Sequence, residues 1–353
     1  MRQQSKQSLP ESRQWRMLIV GCGSIGRRHL RNLLALGQRQ LAIVDADTDT
    51  LATVRREFSI PGWEDLESGL TWGPEVVIVA TPTADHLRTA LAVVRSNCHI
   101  LIEKPLADTS DGLEELVRLV QERHLITLVG CNMRFHPGPQ LVHQVLAEGC
   151  LGMPLAARFE VGSFLPLWRP GTAYQKTYSA RRDQGGGCLL DGVHELDIAC
   201  WLFGFPQEVV AVTREGSSLG IETEELAELI LRHPDAMIVS VHLDYVQRWR
   251  QRRYEIIGEQ GTVTWESRRH EVLVVQSERT EPLRLGYEPT YDPNEMYLAE
   301  LRHFLSCLNG QQRSCADVEW AAGVTRVALA AKDSAQGRHS VPLSWEATAV
   351  RSA

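Results

Sequence analysis

The sequence predicts an α/β protein with a parallel sheet in its N-terminal third and an α+β domain on a large, mainly antiparallel open sheet after it. Two observations carry this. In the first 130 residues, short uninterrupted apolar runs alternate with helical periodicity: Met17 to Val20, Leu41 to Val44, Val76 to Ala80, His99 to Ile102 and Ile126 to Gly130. Helices are expected between them around Thr50 to Phe58, Asp85 to Arg95 and Ser110 to Arg123. Runs such as VVIVA are apolar on both faces, as strands covered by helices on both sides must be. From about Met153 the texture changes to period-two alternation: Met237, Val239, Val241 and Leu243 share one face, Ile238, Ser240 and His242 the other. LAELILR, Leu226 to Arg232, precedes this run across His233-Pro234-Asp235, which predicts an antiparallel hairpin. Further strands are expected at Tyr254 to Ile257, Thr262 to Trp265 and Val272 to Gln276, and closing helices near Asn294 to Leu308 and Asp317 to Asp333.

The first strand runs into Gly21, Gly23 and Gly26, with Ser24 and Ile25 opening a helix that continues through Leu30, Leu33 and Leu34. In such a strand-turn-helix unit the first glycine permits the turn and the second admits a pyrophosphate close to the backbone. The third lets helix and strand pack closely. Unpaired N–H groups and the positive dipole end of the helix favour the phosphates. The second strand ends in Asp45, about 20 residues beyond the glycines, where a carboxylate hydrogen-bonds the adenosine ribose and repels a 2'-phosphate. This is a Rossmann dinucleotide site, and it reads as one for NAD. The plainer reading of Asp45 is a strand-ending turn residue.

Composition narrows the class. The 353 residues suffice for two domains, and 43% hydrophobic with 23% charged residues is ordinary for a globular enzyme. A formal net charge of -7 gives no reason to expect nucleic acid. The basic clusters at Arg248 to Arg253 and Arg181 to Arg182 are short, reading either as solvated surface or as steering for an anionic substrate. No apolar run approaches the roughly 20 residues of a membrane span. The polar stretch MRQQSKQSLPESRQW has no signal-peptide pattern and reads as a disordered tail, residues 1–14. Eight cysteines show neither CxxC nor zinc spacing, which predicts reduced, buried thiols in a cytoplasmic protein. Cys22 lies inside the glycine turn, where a thiol reagent would be expected to block the cofactor.

GCGSIG, TPTADH at Thr81 to His86, HILIEKPLA at His99 to Ala107 and GGGCLLDGVHELD at Gly185 to Asp197 together resemble the Gfo/Idh/MocA family, named for glucose-fructose oxidoreductase and inositol dehydrogenase. The resemblance runs from about Arg16 to Leu343. It implies a Rossmann domain over 15–131, a substrate-binding and oligomerisation domain over 132–310, and a C-terminal helix and tail over 311–353 packing back on the first domain. It also implies that Lys104 sits beside the nicotinamide and hydrogen-bonds substrate, held by Pro105 through a cis peptide. Glu103 lies near the nicotinamide ribose, and Thr81, Pro82 and His86 line the cofactor. Asp191 and His194 complete the catalytic set, with the histidine as general base.

The commonest family pattern spaces that Asp and His four apart, whereas here they are three apart. On one helix, three residues still leave both side chains on one face, off the apolar stripe of Leu189, Val193, Leu196, Cys200 and Phe203. The chemistry suits these groups. Oxidising an alcohol needs a base at its oxygen, histidine titrates near neutrality, a neighbouring carboxylate orients its ring, and an ammonium stabilises developing alkoxide. His194 as a satisfied helix histidine and Lys104 as a surface cation are the plainer alternatives. HELD lacks the second histidine of HExxH, so no metal is expected. Arg134, Trp168, Arg169 and Tyr174 are candidate substrate contacts beside Asp191 and His194, against core packing for the aromatics and solvent for the cations. The expected function is NAD-dependent hydride transfer at a secondary alcohol or keto group of a sugar, cyclitol or nucleotide sugar, in a homodimer or homotetramer. An NAD-dependent glycoside hydrolase or a non-catalytic binding protein are the alternatives.

Overall fold

The computed structural model describes residues 13–215 and 218–345. Among these the chain forms two sheets, six strands in order β3-β2-β1-β4-β5-β6 and nine in order β14-β13-β12-β11-β7-β10-β9-β8-β15. The first consists of β1 (Met17–Val20), β2 (Leu41–Val44), β3 (Gly62–Trp63), β4 (Val76–Val79), β5 (His99–Ile102) and β6 (Thr127–Val129), all parallel. Helices α1 (Ser24–Ala35), α2 (Thr48–Phe58), α3 (Leu66–Thr71), α4 (Thr83–Arg95) and α5 (Leu113–Glu122) connect them. The alternation read from sequence is therefore present. α4 starts two residues earlier than its pattern suggested, and α5 starts three later, after Gly112 at φ 98°. The strand order reverses between β1 and β4, which opens a crevice at the strands' C-terminal ends, where the glycine turn, Asp45, Thr81 and Lys104 all lie.

After α6 (Pro137–Ala147) comes the second sheet: β7 (Pro154–Gly162), β8 (Glu208–Arg214), β9 (Leu226–Arg232), β10 (Ile238–Asp244), β11 (Gln251–Gly258), β12 (Gly261–Glu266), β13 (Glu271–Gln276), β14 (Leu283–Gly286) and β15 (Val341–Pro342). The expected β9-β10 hairpin pairs Leu231 with Val239 and Leu229 with Val241 on its buried face. All pairs are antiparallel except β7 with β10. One face is buried beneath α6, α7 (Cys188–Asp191), α8 (Val193–Phe203) and α10 (Val318–Gly337); the other exposes Val210, Val212, Ile230 and Ile238.

The tail expectation over 311–353 needs correction. The first half of α10 does pack on the first domain, burying Val318, Ala321 and Ala322 in its core. Its second half buries Val324, Val327, Ala328 and Ala331 in the core of the second domain, and β15 then pairs with β8 of the large sheet. A 20-residue helix, some 30 Å long, bridges both cores. The disordered tail expected at 1–14 lies outside the described residues up to residue 12; Arg13 is placed, pairing with Glu75 at 2.8 Å. No helix among the described residues is long and apolar enough to cross a membrane.

Candidate active site

A cavity of about 1110 Å³ runs between the domains, from Asp45, Glu64 and Asp65 at one end to Trp168, Arg248 and Arg252 at the other. Gly21, Gly23, Ser24 and Ile25 line it where α1 begins. A Cβ on Gly26 would stand 1.9 Å from the Gly21 carbonyl oxygen, so glycine there is what lets α1 start so close to the turn. The helix has no side-chain cap and no acid in its first turn, while Gly23 faces open space. Unfilled helix N–H groups beside an open cradle fit a pyrophosphate. Thr81 Oγ1, buried without a partner in the same wall, offers one more polar contact.

Asp45 does more than end β2. Its Oδ2 accepts the Cys22 N–H at 2.6 Å and its Oδ1 the Asp47 N–H at 2.9 Å, which fixes the glycine turn to the second strand's end. Lone pairs remain for ribose hydroxyls. With Glu64 and Asp65 on the same wall, this end of the cavity is acidic and unsuited to a 2'-phosphate. The expectation for Cys22 does not hold: the thiol is fully buried, its Sγ faces the Val44 carbonyl at 3.7 Å, and burial, then Asp45, push it up to about 12. A buried neutral thiol is inert.

Lys104 follows β5, and its bond to Pro105 is cis. Its Nζ reaches the Asp191 carbonyl oxygen at 3.2 Å and Asp191 Oδ1 at 3.4 Å. Oδ1 also accepts from Tyr178 Oη at 2.8 Å, and Oδ2 accepts from Tyr245 Oη at 2.6 Å. Burial opposes charge on both partners, yet for the lysine Tyr178, Asp191 and Glu103 outweigh it and hold the ammonium above its ordinary range. For Asp191, Lys104 and hydrogen bonds from Ser179, Tyr245 and Tyr178 outweigh burial and hold the carboxyl below its range. Both are ionised at neutral pH. Glu103 turns away to His29, Oε1 to Nε2 at 2.7 Å, and His86 spans the Pro105 and Thr81 carbonyl oxygens at 2.8 and 2.9 Å. His86 lines the cavity wall, but its ring is engaged as a strut between two loops that shape it.

Asp191 and His194 do not share one helix. Asp191 ends α7 and His194 lies in the first turn of α8, with Gly192 at the break. The glycine run before α7 serves close packing: Gly187 has φ +116°, and a Cβ there would meet the Glu224 carboxylate, which accepts the Leu189 N–H at 3.1 Å. Nor does Asp191 orient the imidazole, because its oxygens are taken by Lys104 and two tyrosines. His194 is 8% exposed, its Nδ1 has no partner, and burial, then Lys104 and Arg252, depress its pKa well below the usual value. α8 has no polar stripe either: Val193 to Cys200 are all buried.

Two candidate contacts leave the site. Arg134 is a core residue: Nε and Nη2 grip Asp197 at 2.8 and 2.6 Å, Nη1 donates to the Cys315 carbonyl, and the guanidinium lies 4.7 Å from the Trp320 ring. Tyr174 does not line the cavity; its hydroxyl donates to the Leu219 carbonyl at 2.9 Å. Trp168 and Arg169 do line it, the former donating to Ser163 Oγ at 2.8 Å. Reading along the chain missed Tyr245 and Tyr297, and it saw Arg252 only as part of the basic cluster Arg248 to Arg253. Tyr178, which with Trp168, Arg169, Tyr174 and Lys176 forms an aromatic and basic loop suited to stacking on a sugar face, turns its hydroxyl to Asp191 instead. Arg252 is held by Glu195, Nε to Oε1 at 2.7 Å, which gives the acid after His194 its purpose.

The chain belongs to the GFO/IDH/MocA oxidoreductases. Residues 15–131 match the oxidoreductase family model with an NAD-binding Rossmann fold, and residues 140–264 match the GFO/IDH/MocA C-terminal domain. It is 25% identical to a 1,5-anhydro-D-fructose reductase of Ensifer adhaerens over 85% of this chain and 90% of that protein. It is 26% identical to an inositol 2-dehydrogenase of Acidothermus cellulolyticus over 95% of this chain and 89% of that one. Among solved structures, levoglucosan dehydrogenase in complex with NADH superimposes with a TM-score of 0.85 at 20% identity, covering 95% of this chain and 100% of that chain. The protein is thus an NAD-dependent oxidoreductase.

Two outcomes test the geometry. NAD should bind more tightly than NADP in calorimetric titration, and Asp45→Ser should narrow the difference; equal or tighter NADP binding in the wild type would contradict the role of the acidic end. Arg134→Met should cost roughly 3 kcal/mol or more in denaturant unfolding, because it strands Asp197 in the core, while the folded fraction keeps its affinity for NAD.

Proposed function

We propose that the protein transfers a hydride between NAD and a secondary alcohol or keto group of a sugar, cyclitol or nucleotide sugar, with Lys104, Asp191 and His194 as the reacting set. The observation that carries this is the Lys104–Asp191 contact, which joins the end of β5 to the start of the α8 region inside the cavity that holds the glycine turn. The names of the sugar and inositol relatives support the substrate class.

NAD, when bound, supplies the hydride acceptor. The chain's own groups handle the oxygen. Lys104, kept charged by Asp191, lowers the energy of an alkoxide as it forms. His194, kept neutral by burial and then by the cations beside it, takes the proton. Asp191 positions the lysine, and Tyr178 and Tyr245 satisfy the carboxylate and keep it anionic. The exposed Val210, Val212, Ile230 and Ile238 on the open face of the large sheet support a homodimer or homotetramer. Eight free cysteines suit a reducing compartment such as the cytoplasm.

Production of NADH from an alcohol, followed at 340 nm, tests the reaction; cleavage of a glycoside without net NADH would replace it. Lys104→Ala should bind NAD nearly normally and lose most turnover. The acid limb of oxidation, from protonation of His194, should lie below the ordinary histidine range, since a depressed pKa extends the neutral base to lower pH. His194→Asn should cost about 10² to 10⁴-fold and flatten that limb; a retained limb would place proton transfer elsewhere. Ile230→Asp should dissociate the oligomer in light-scattering chromatography, where a wild-type monomer would contradict the interface.

A further inference from the structure

The two ends of the cavity carry opposite charge, and at one end the charge is unmet. Lys104 has Asp191, Arg252 has Glu195 and Arg88 has Asp85. Arg169, Arg248 and Arg250 line the same cavity and, among the described residues, have no carboxylate partner. No cavity acid on their side is free to serve. Glu103 is bound to His29, while Asp244 accepts from Val246 and Gln247 N–H groups at 2.7 and 2.6 Å and from His242 at 3.0 Å. At the ribose end, on the first domain, Asp65 caps α3 through Ser68, and Glu64 lines the same wall.

Arg248 and Arg250 keep contact with solvent while facing the cavity, and Arg169 is half-buried in its wall. Arg248 and Arg250, on the irregular segment before β11, and Arg252, on β11 itself, line the cavity, whereas Trp249 between them does not. Arg248 lies 3.7 Å from the Phe164 ring centroid and Arg169 5.3 Å from that of Tyr178. Stacking through the guanidinium face leaves its N–H edge open for a planar or tetrahedral anion. Desolvation, then the neighbouring Arg252, holds the Arg250 guanidinium below the usual arginine range, and Tyr297 and Glu195 only partly offset them. The cofactor's pyrophosphate does not fill this need, because its cradle is the start of α1 on the other domain.

We infer that Arg169, Arg248 and Arg250 form an anion subsite, and that the alcohol oxidised carries a carboxylate or phosphoryl group bound there while its hydroxyl meets Lys104 and His194. The inference rests on the dehydrogenase reading for the second half of that statement only. A charged substrate gains bidentate hydrogen bonds and electrostatic steering that a neutral sugar lacks.

Calorimetry on NADH-loaded protein tests it, with glucuronate, glucose 6-phosphate, UDP-glucose and glucose as ligands and malonate and pyrophosphate as simple anions. At least one anion should bind tenfold or more tighter than glucose, and the carboxylate and phosphoryl arms identify which group fits. Arg248→Gln and Arg250→Gln should each weaken that anion about ten- to hundredfold, the scale of a hydrogen bond to a charged group, with glucose and NADH affinities unchanged. Glucose binding as tightly as every anion, or no anion binding in an arginine-dependent way, would overturn the subsite. NADH formation from neutral sugars alone, unaffected by either variant, sinks the subsite and keeps the dehydrogenase. Arginine-dependent anion binding with no NADH from any alcohol does the reverse.

Discussion

The buried carboxylate of Asp191 is the point on which the site depends. An ionised carboxylate away from water is costly unless its lone pairs are met. Here an ammonium from one domain and two phenols from the other meet them. The arrangement ties the end of β5 to the entry of α8, and so sets where the two sheets stand across the cavity. It also bears on protonation: the contact helps keep Lys104 charged, and Lys104 adds to the burial that keeps His194 neutral.

A second buried pair does comparable work for the fold. Asp197 receives Arg134 from the segment before α6 and the Trp320 indole N–H at 2.9 Å from α10. Three stretches distant in sequence meet on one carboxylate, behind the site and not in it. The acids of DGVHELD therefore divide their labour. Asp191 faces the cavity, Glu195 anchors Arg252 beneath it, and Asp197 locks the helix that bridges both cores.

Charge is distributed unevenly along the cavity. Carboxylates line the ribose end, on loops after β2 and β3, and arginines line the far end, on the loop after β7 and on the connection from β10 into β11. An elongated ligand pair, cofactor then substrate, meets an acidic wall first and a basic wall last. Specificity for both ligands is thus written in opposite fields along one channel.

The sequence by itself determined five of the six strands of the first domain, because their signals are local; β3, two residues long, carries none. Continuous apolar strands, the glycine turn and a carboxylate at a fixed distance need no knowledge of the rest of the chain. It determined less of the second sheet. β8 carries Val210 and Val212 on its open face, so its alternation is masked, and β7, though central, mixes Arg158 and Glu160 with small alanines. The helix carrying Asp191 and His194 read as continuous, yet it breaks at Gly192, a position where a side chain would strike Leu243. Only the tertiary structure decided which polar residues face the cavity. Arg134 and Asp197 stand 63 residues apart, and Tyr245 reaches Asp191 across 54. Such pairings come from where sheets and helices pack, and no local spacing encodes them.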